Sequence, residues 1–155
     1  MTIISNSMLL VRRITELQRR RDILLEKQDR LHRTLPEWTF APLQLAGMSA
    51  DEIRVMMSDL SDAERDSGID SLEQEIDRLD QQIDDLENSL LTTPSRSLES
   101  VQAVLDLAVR RFRSQTVSDP KDVFYDYGDA RVLFFLERAA DDLRAMLDSD
   151  QRAAG

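Results

Sequence analysis

The chain has 155 residues, a net charge of −10, four Gly, four Pro and no Cys. Without Cys it can form no disulfide, thiol nucleophile or thiolate metal site. So acidic a chain is repelled by nucleic acid and by anionic lipid, which leaves basic or amphipathic proteins as the favoured partners.

The composition predicts an all-α protein, because Gly and Pro are few and Leu, Ala, Arg, Asp and Glu are abundant. No apolar run approaches the 18 residues that a membrane span needs. The amino-terminal residues do not have the pattern of a signal peptide. A cytoplasmic protein is the expectation.

A long first helix is predicted to begin after residues 5–7 and to end near Leu35, because Pro36 disfavours its continuation. Leucines recur along it every seven residues, at Leu10, Leu17, Leu24 and Leu31. Arg21 and Gln28 stand in the alternate row of the same seam, where polar residues cost stability but can fix the register of a helix pair.

The connection after this helix is apolar and contains two prolines, so it is not expected to be helical. Trp38 and Phe40 are its aromatic residues. Two alternatives are open: the segment packs on the helices as a lid, which is favoured, or it is exposed as a contact patch.

Ser49 and Glu52 form a capping box that predicts the start of a short helix, and Ser61 with Glu64 predicts a second start. Gly68 has two interpretations. It either ends the short helix or lies inside one helix running from Ser61 to about residue 91.

The segment 69–90 has the strongest pattern in the chain, an apolar residue at alternating spacings of three and four. The seam consists of Ile69, Leu72, Ile76, Leu79, Ile83, Leu86 and Leu90. The remaining positions hold eight Asp and Glu against the single cation Arg78. This pattern predicts a coiled-coil helix with an acidic exterior.

The two long helices are expected to attract each other, because residues 1–35 carry a net charge of +4 and the remainder −14. An antiparallel pair is favoured, since consecutive helices in bundles are usually antiparallel neighbours. Parallel pairing within or between chains stays open. In that arrangement the basic g positions Arg13, Arg20 and Lys27 would match the acidic e positions Glu73, Asp80 and Glu87.

The carboxy-terminal part predicts further helices. Thr93 followed by Pro94 indicates one helix start, and Asp129 after Gly128 indicates the start of the last helix. The aromatic residues of this part are expected to seal the end of the bundle; they are Phe112, Phe124, Tyr125, Tyr127, Phe134 and Phe135.

No catalytic, cofactor or metal site is predicted. His32 is the only histidine, at a helix end where its charge is favourable. Neighbouring carboxylates such as Asp84 and Asp85 are better explained as a solvated face. The region from Asp122 to Asp129 does not fit a calcium loop, because apolar residues fall at ligand positions. A carboxylate-based metal protein or enzyme is the weakest alternative.

The sequence therefore predicts an elongated coiled-coil helix pair within residues 1–93 and a helical module within 94–155, together one structural domain. The predicted function is a non-catalytic protein interaction or assembly module, with a protein partner or self-association, a dimer being favoured. The alternative is an acidic chaperone or inhibitor that masks a basic partner and could imitate nucleic acid. Membrane and nucleic-acid binding are not expected. The candidate interaction residues are Leu10, Leu17, Leu24, Leu31, Trp38, Phe40, Ile76, Leu79, Ile83 and Leu86.

Overall fold

A computed structural model describes residues 5–35 and 47–155. These residues form helices joined by turns, without a strand, which confirms the all-α class. The helices are α1 (Asn6–Thr34), α2 (Ala50–Ser67), α3 (Ile69–Leu91), α4 (Leu98–Gln115) and α5 (Tyr127–Ala153). Trp38 and Phe40 lie outside the described residues, so the predictions made for them stay predictions.

The chain forms two compact units. The first, called the terminal unit, comprises Met1–Thr15 and Leu86–Gly155, and the second, called the middle unit, comprises Glu16–Asp85. Their boundaries fall within α1 and α3. The division into segments 1–93 and 94–155 within one structural domain stays a prediction.

Local sequence signals account for the ends of α2. Ser49 accepts a hydrogen bond from the Glu52 backbone N–H at 3.2 Å, and Glu52 accepts one from the Ser49 N–H at 2.7 Å, which completes the predicted capping box. Gly68 ends the helix with a left-handed φ of 80°. Of the two interpretations of Gly68, the helix stop is therefore the correct one.

The second capping box, predicted at Ser61 and Glu64, is wrong. α2 continues through both residues because neither Gly nor Pro interrupts it between its cap at Ser49 and its stop at Gly68. Three of its apolar residues, Ile53, Met56 and Leu60, are partly covered, but α2 has no buried residue.

The predicted start of α4 at Thr93 and Pro94 is also wrong. The Thr93 hydroxyl donates to the Ser89 carbonyl at 2.7 Å. Its side chain is therefore hydrogen-bonded to the last turn of α3 and does not cap a new helix. Ser97 and Ser100 form a reciprocal cap in its place, and α4 begins at Leu98.

The last helix begins three residues earlier than predicted. The Asp126 carboxylate accepts a hydrogen bond from the Asp129 backbone N–H at 2.9 Å, so Asp126 and not Asp129 is the cap of α5. Gly128 therefore lies in the first turn of α5 and does not end a preceding helix.

In the terminal unit α4 and α5 pack around an apolar cluster. Its buried members are Val109, Leu133 and Ala140, and Leu105, Phe112 and Leu136 pack against them. Ala140 has the smallest side chain at this contact between the two helices. This packing determines which face of α5 points inward.

Candidate functional site

The seam residues predicted on α3 are covered within the single chain. Ile76, Leu79 and Ile83 are buried and Leu86 is half-buried. On α1, Leu17 is buried, and Leu10, Leu24 and Leu31 are half-buried. These side chains therefore contribute mainly to the folded chain, and their contact with a partner stays a prediction.

Two polar contacts between α1 and α3 in the middle unit, those of Arg21 and Gln28, follow an antiparallel order, and a further contact joins Arg20 to Glu75 at 2.6 Å. Arg21 donates to Asp80 at 3.0 Å, and seven residues further along α1, Gln28 donates to Glu73 at 3.1 Å. The α3 partner moves back by seven residues as the α1 residue moves forward by seven. This order agrees with the favoured orientation; regular coiled-coil packing of the pair stays a prediction.

The aromatic residues near α5 do not seal a bundle end, contrary to the sequence-based expectation. Phe124 is 81% exposed and Phe135 is 65% exposed, and Tyr127 and Phe134 are exposed as well. Phe112 alone of the six packs against the described core cluster. The reason is that α5 has two apolar faces, and the face bearing Ala130, Leu133 and Ala140 is the buried one.

Arg131 lies within this exposed aromatic face. Its guanidinium carbon is 5.8 Å from the centre of the Tyr127 ring and 5.4 Å from that of Phe135, one turn before and one turn after it on α5. Cations at these distances are attracted to the ring faces. Arg131 has no ion-pair partner within the described ranges, so its N–H groups are available to a carboxylate from outside.

The outer face of α5 thus combines exposed aromatic rings with arginine. We call it the α5 outer face and define it as Tyr127, Arg131, Phe134, Phe135, Arg138, Asp142 and Met146. Arg138 and Asp142 form an exposed i,i+4 ion pair at 3.1 Å. Tyr, Phe, Met and Arg are the residue types enriched at protein interfaces. The sequence pattern predicted that these aromatics seal the end of the bundle; the i,i+4 steps from Tyr127 through Arg131 to Phe135 were the available signal of a shared face.

A second surface lies along α2 in the middle unit. A groove of about 530 Å³ is lined by the apolar residues Met48, Val55 and Met56 and by the carboxylates of Asp51, Glu52 and Asp59. Hydrogen bonds from the backbone N–H and the side chain of Ser49 lower the pKa of Glu52 below its ordinary value. The groove is therefore lined by both apolar and anionic side chains.

A third depression, of about 600 Å³, lies between α4 and α5 in the terminal unit. Its charged groups already pair with one another. Arg113 contacts Glu137 at 2.8 Å, and Arg144 contacts Asp106 and Asp141, each at 2.9 Å. The third arginine, Arg110, donates to the Thr15 hydroxyl at 2.8 Å. Three carboxylates thus balance the three arginines that line the depression, which gives it a structural role in joining α4 to α5.

Metal-ligating groups do not converge in the parts of the chain that the structure describes. No set of three or more His, Asp or Glu side chains is arranged to hold an ion within residues 5–35 and 47–155. Among the same residues, no helix combines the length and apolar character that crossing a membrane requires.

Comparison with known proteins gives no significant match to a protein-family model, to a curated protein sequence or to a solved structure.

Proposed function

We propose that this protein is a non-catalytic helical assembly module whose contact surface is the α5 outer face and whose partner is a second copy of the chain. The observation that carries the proposal is the exposure of Tyr127, Phe134 and Phe135, which lie on α5 outside its packed side. A helix with apolar residues on both sides is normally covered on both.

Two further features support this surface over the leucine seam. Ile76, Leu79 and Ile83 of the seam are buried within one chain, so they have little apolar area left to offer. The terminal unit has 11 Lys and Arg against 12 Asp and Glu, a net charge of −1, so two copies of it repel each other only weakly. An exposed aromatic patch on such a unit is suited to self-association.

The test is the mass in solution, measured by light scattering on a sizing column over a range of protein concentrations. We expect a dimer for the wild type and a monomer for the double variant F134S/F135S. Leu91→Ser is the matched control, because Leu91 is an exposed apolar residue of the same unit but lies on α3.

A wild type that stays monomeric at every concentration would refute assembly. A dimer that F134S/F135S leaves intact would refute the assignment to the α5 outer face. Circular dichroism of the variant checks its helicity, which should be unchanged because both side chains are exposed.

Binding to a basic partner is a second candidate function, and the charge of the middle unit favours it. This unit has 18 Asp and Glu against nine Lys and Arg. Its net charge of −9 is nearly all of the chain's net charge of −10. The α2 groove adds apolar contacts to that charge. Methionines in such grooves adapt to different side chains. A basic amphipathic helix has the complementary chemistry.

The test of this candidate is the fluorescence anisotropy of a labelled amphipathic peptide of Leu and Lys, about 18 residues long so that it matches the length of α2. A scrambled peptide of equal composition is the control. Asp59→Lys should weaken binding more than Asp77→Lys, which changes the net charge equally but lies on α3 outside the groove. Equal effects of the two substitutions, or equal binding of both peptides, would mean that only general acidity attracts the peptide.

A further inference from the structure

Six exposed residues of the α5 outer face form a palindromic pattern. In chain order they are Tyr127, Arg131, Phe135, Arg138, Asp142 and Met146. The spacings are four, four, three, four and four, the same in both directions. At about 100° per residue all six lie within an arc of about 100° on one side of the helix, over a length of about 28 Å.

The pattern becomes self-complementary when two copies of α5 are aligned antiparallel about a point between Phe135 and Arg138. Across the axis, an aromatic ring then faces a thioether, a cation faces a carboxylate, and a second aromatic ring faces a cation. The facing residues are Tyr127 with Met146, Arg131 with Asp142, and Phe135 with Arg138. A two-fold axis makes each of these contacts twice.

We propose that α5 pairs antiparallel with α5 of a second copy, with Arg131 of each subunit bound to the partner subunit's Asp142. The proposal rests on the proposed function and adds the orientation and register of the contact. Parallel in-register pairing would bring Arg131 to Arg131 and Asp142 to Asp142, which like-charge repulsion disfavours.

The conformation of Arg131 supports this register. The guanidinium group lies against the rings of Tyr127 and Phe135, which limits its freedom before any partner binds. It has no carboxylate partner among the described residues, although the chain as a whole is strongly acidic. In the dimer the partner subunit's Asp142 supplies the missing carboxylate and stays within reach of its own Arg138.

Charge exchange between two variants tests the register directly. Arg131→Asp alone sets two carboxylates against each other across the interface, and Asp142→Arg alone sets two guanidinium groups against each other. Each single variant should dimerise at least about tenfold more weakly than the wild type in sedimentation equilibrium. An equimolar mixture of the two should recover a dimer, since each copy then carries the charges that the other lacks.

The matched controls are Arg96→Asp and Asp150→Arg, which make the same charge changes at exposed positions of the same unit outside the pattern. Both should dimerise as the wild type does. Far-ultraviolet circular dichroism should give equal helicity for all variants, because the substituted side chains are exposed.

The outcomes separate this inference from the proposed function. A wild-type dimer whose single variants are weakened and whose mixture recovers supports the antiparallel register. A wild-type dimer that neither charge substitution weakens, or a mixture that stays monomeric, overturns the register while the assembly function stands. A wild type that is monomeric at every concentration overturns both.

Discussion

Arg21 offers the sharpest test of what stabilises the middle unit, because it is a cation in a seam of apolar residues. Its side chain is 27% exposed and donates to Asp80 at 3.0 Å, and the Asp80 side chain is 48% exposed. The Arg21 Nε atom is buried and has no hydrogen-bond acceptor among the described residues. We therefore consider the replacements Arg21→Met and Asp80→Ala.

The free energies can be compared term by term for Arg21→Met. A half-exposed ion pair is worth about 0–1 kcal/mol, whereas an unsatisfied buried donor costs about 1–3 kcal/mol. Methionine keeps the aliphatic stem that packs in the seam and removes the buried donor. Replacing Arg21 by Met should therefore raise the free energy of unfolding by about 0–2 kcal/mol.

Asp80→Ala should act in the opposite direction. It leaves the partly buried Arg21 with only the more distant carboxylate of Asp22, at 3.6 Å, and keeps the unsatisfied Nε, so we expect a loss of about 1 kcal/mol. Urea denaturation followed by circular dichroism measures both changes. If the slope of the unfolding free energy against urea concentration is unchanged, the substitutions have altered stability alone. Two results would refute these expectations: a decrease of more than about 1 kcal/mol in the free energy of unfolding of Arg21→Met, or a higher free energy of unfolding for Asp80→Ala than for Arg21→Met.

Three further predictions concern helix ends and the core. Gly68→Ala should lower the free energy of unfolding by about 1–2 kcal/mol, because Gly68 has a φ of 80°. Nothing lies within 4 Å of a Cβ there, so the cost is one of backbone conformation and not of steric contact. Gly68→Asn should lose less stability, and equal losses for the two variants in urea denaturation would contradict the conformational explanation. Leu133→Ala should cost about 2–5 kcal/mol because Leu133 is buried, whereas Phe135→Ala should stay within about 0.5 kcal/mol when both are compared as dilute monomers. The pKa of Glu52 is lowered from 4.5 by hydrogen bonds from Ser49, so its contribution to stability is present above pH 4.5 and is lost as the pH falls through the lower folded-state pKa. The difference in thermal stability between wild type and Glu52→Gln should therefore shrink on acidification, and a difference that grows below pH 4.5 would contradict this assignment.

Much of the local structure follows from sequence signals because its causes lie within a few residues. The seam of α3 follows from spacing alone, and the stop at Gly68 and the capping box at Ser49 need only neighbouring backbone groups. The errors at Thr93 and Asp129 arose where two residues could each serve as the cap. Ser97 and Asp126 are the caps in the structure, and the Thr93 hydroxyl is bound to the end of α3.

The sequence by itself determined the all-α class, the buried row of α3 and the acidic character of the chain, because periodicity and charge are properties of composition and spacing. Only the tertiary structure decided which apolar face of α5 is inside. Both the Leu133 row and the Phe135 row fit a buried stripe, but α4 can cover only one of them. Leu133 and Ala140 are the α5 residues that are buried in the cluster with Val109 of α4. The aromatic rings and Arg131 are left on the outside, where they define the proposed contact surface.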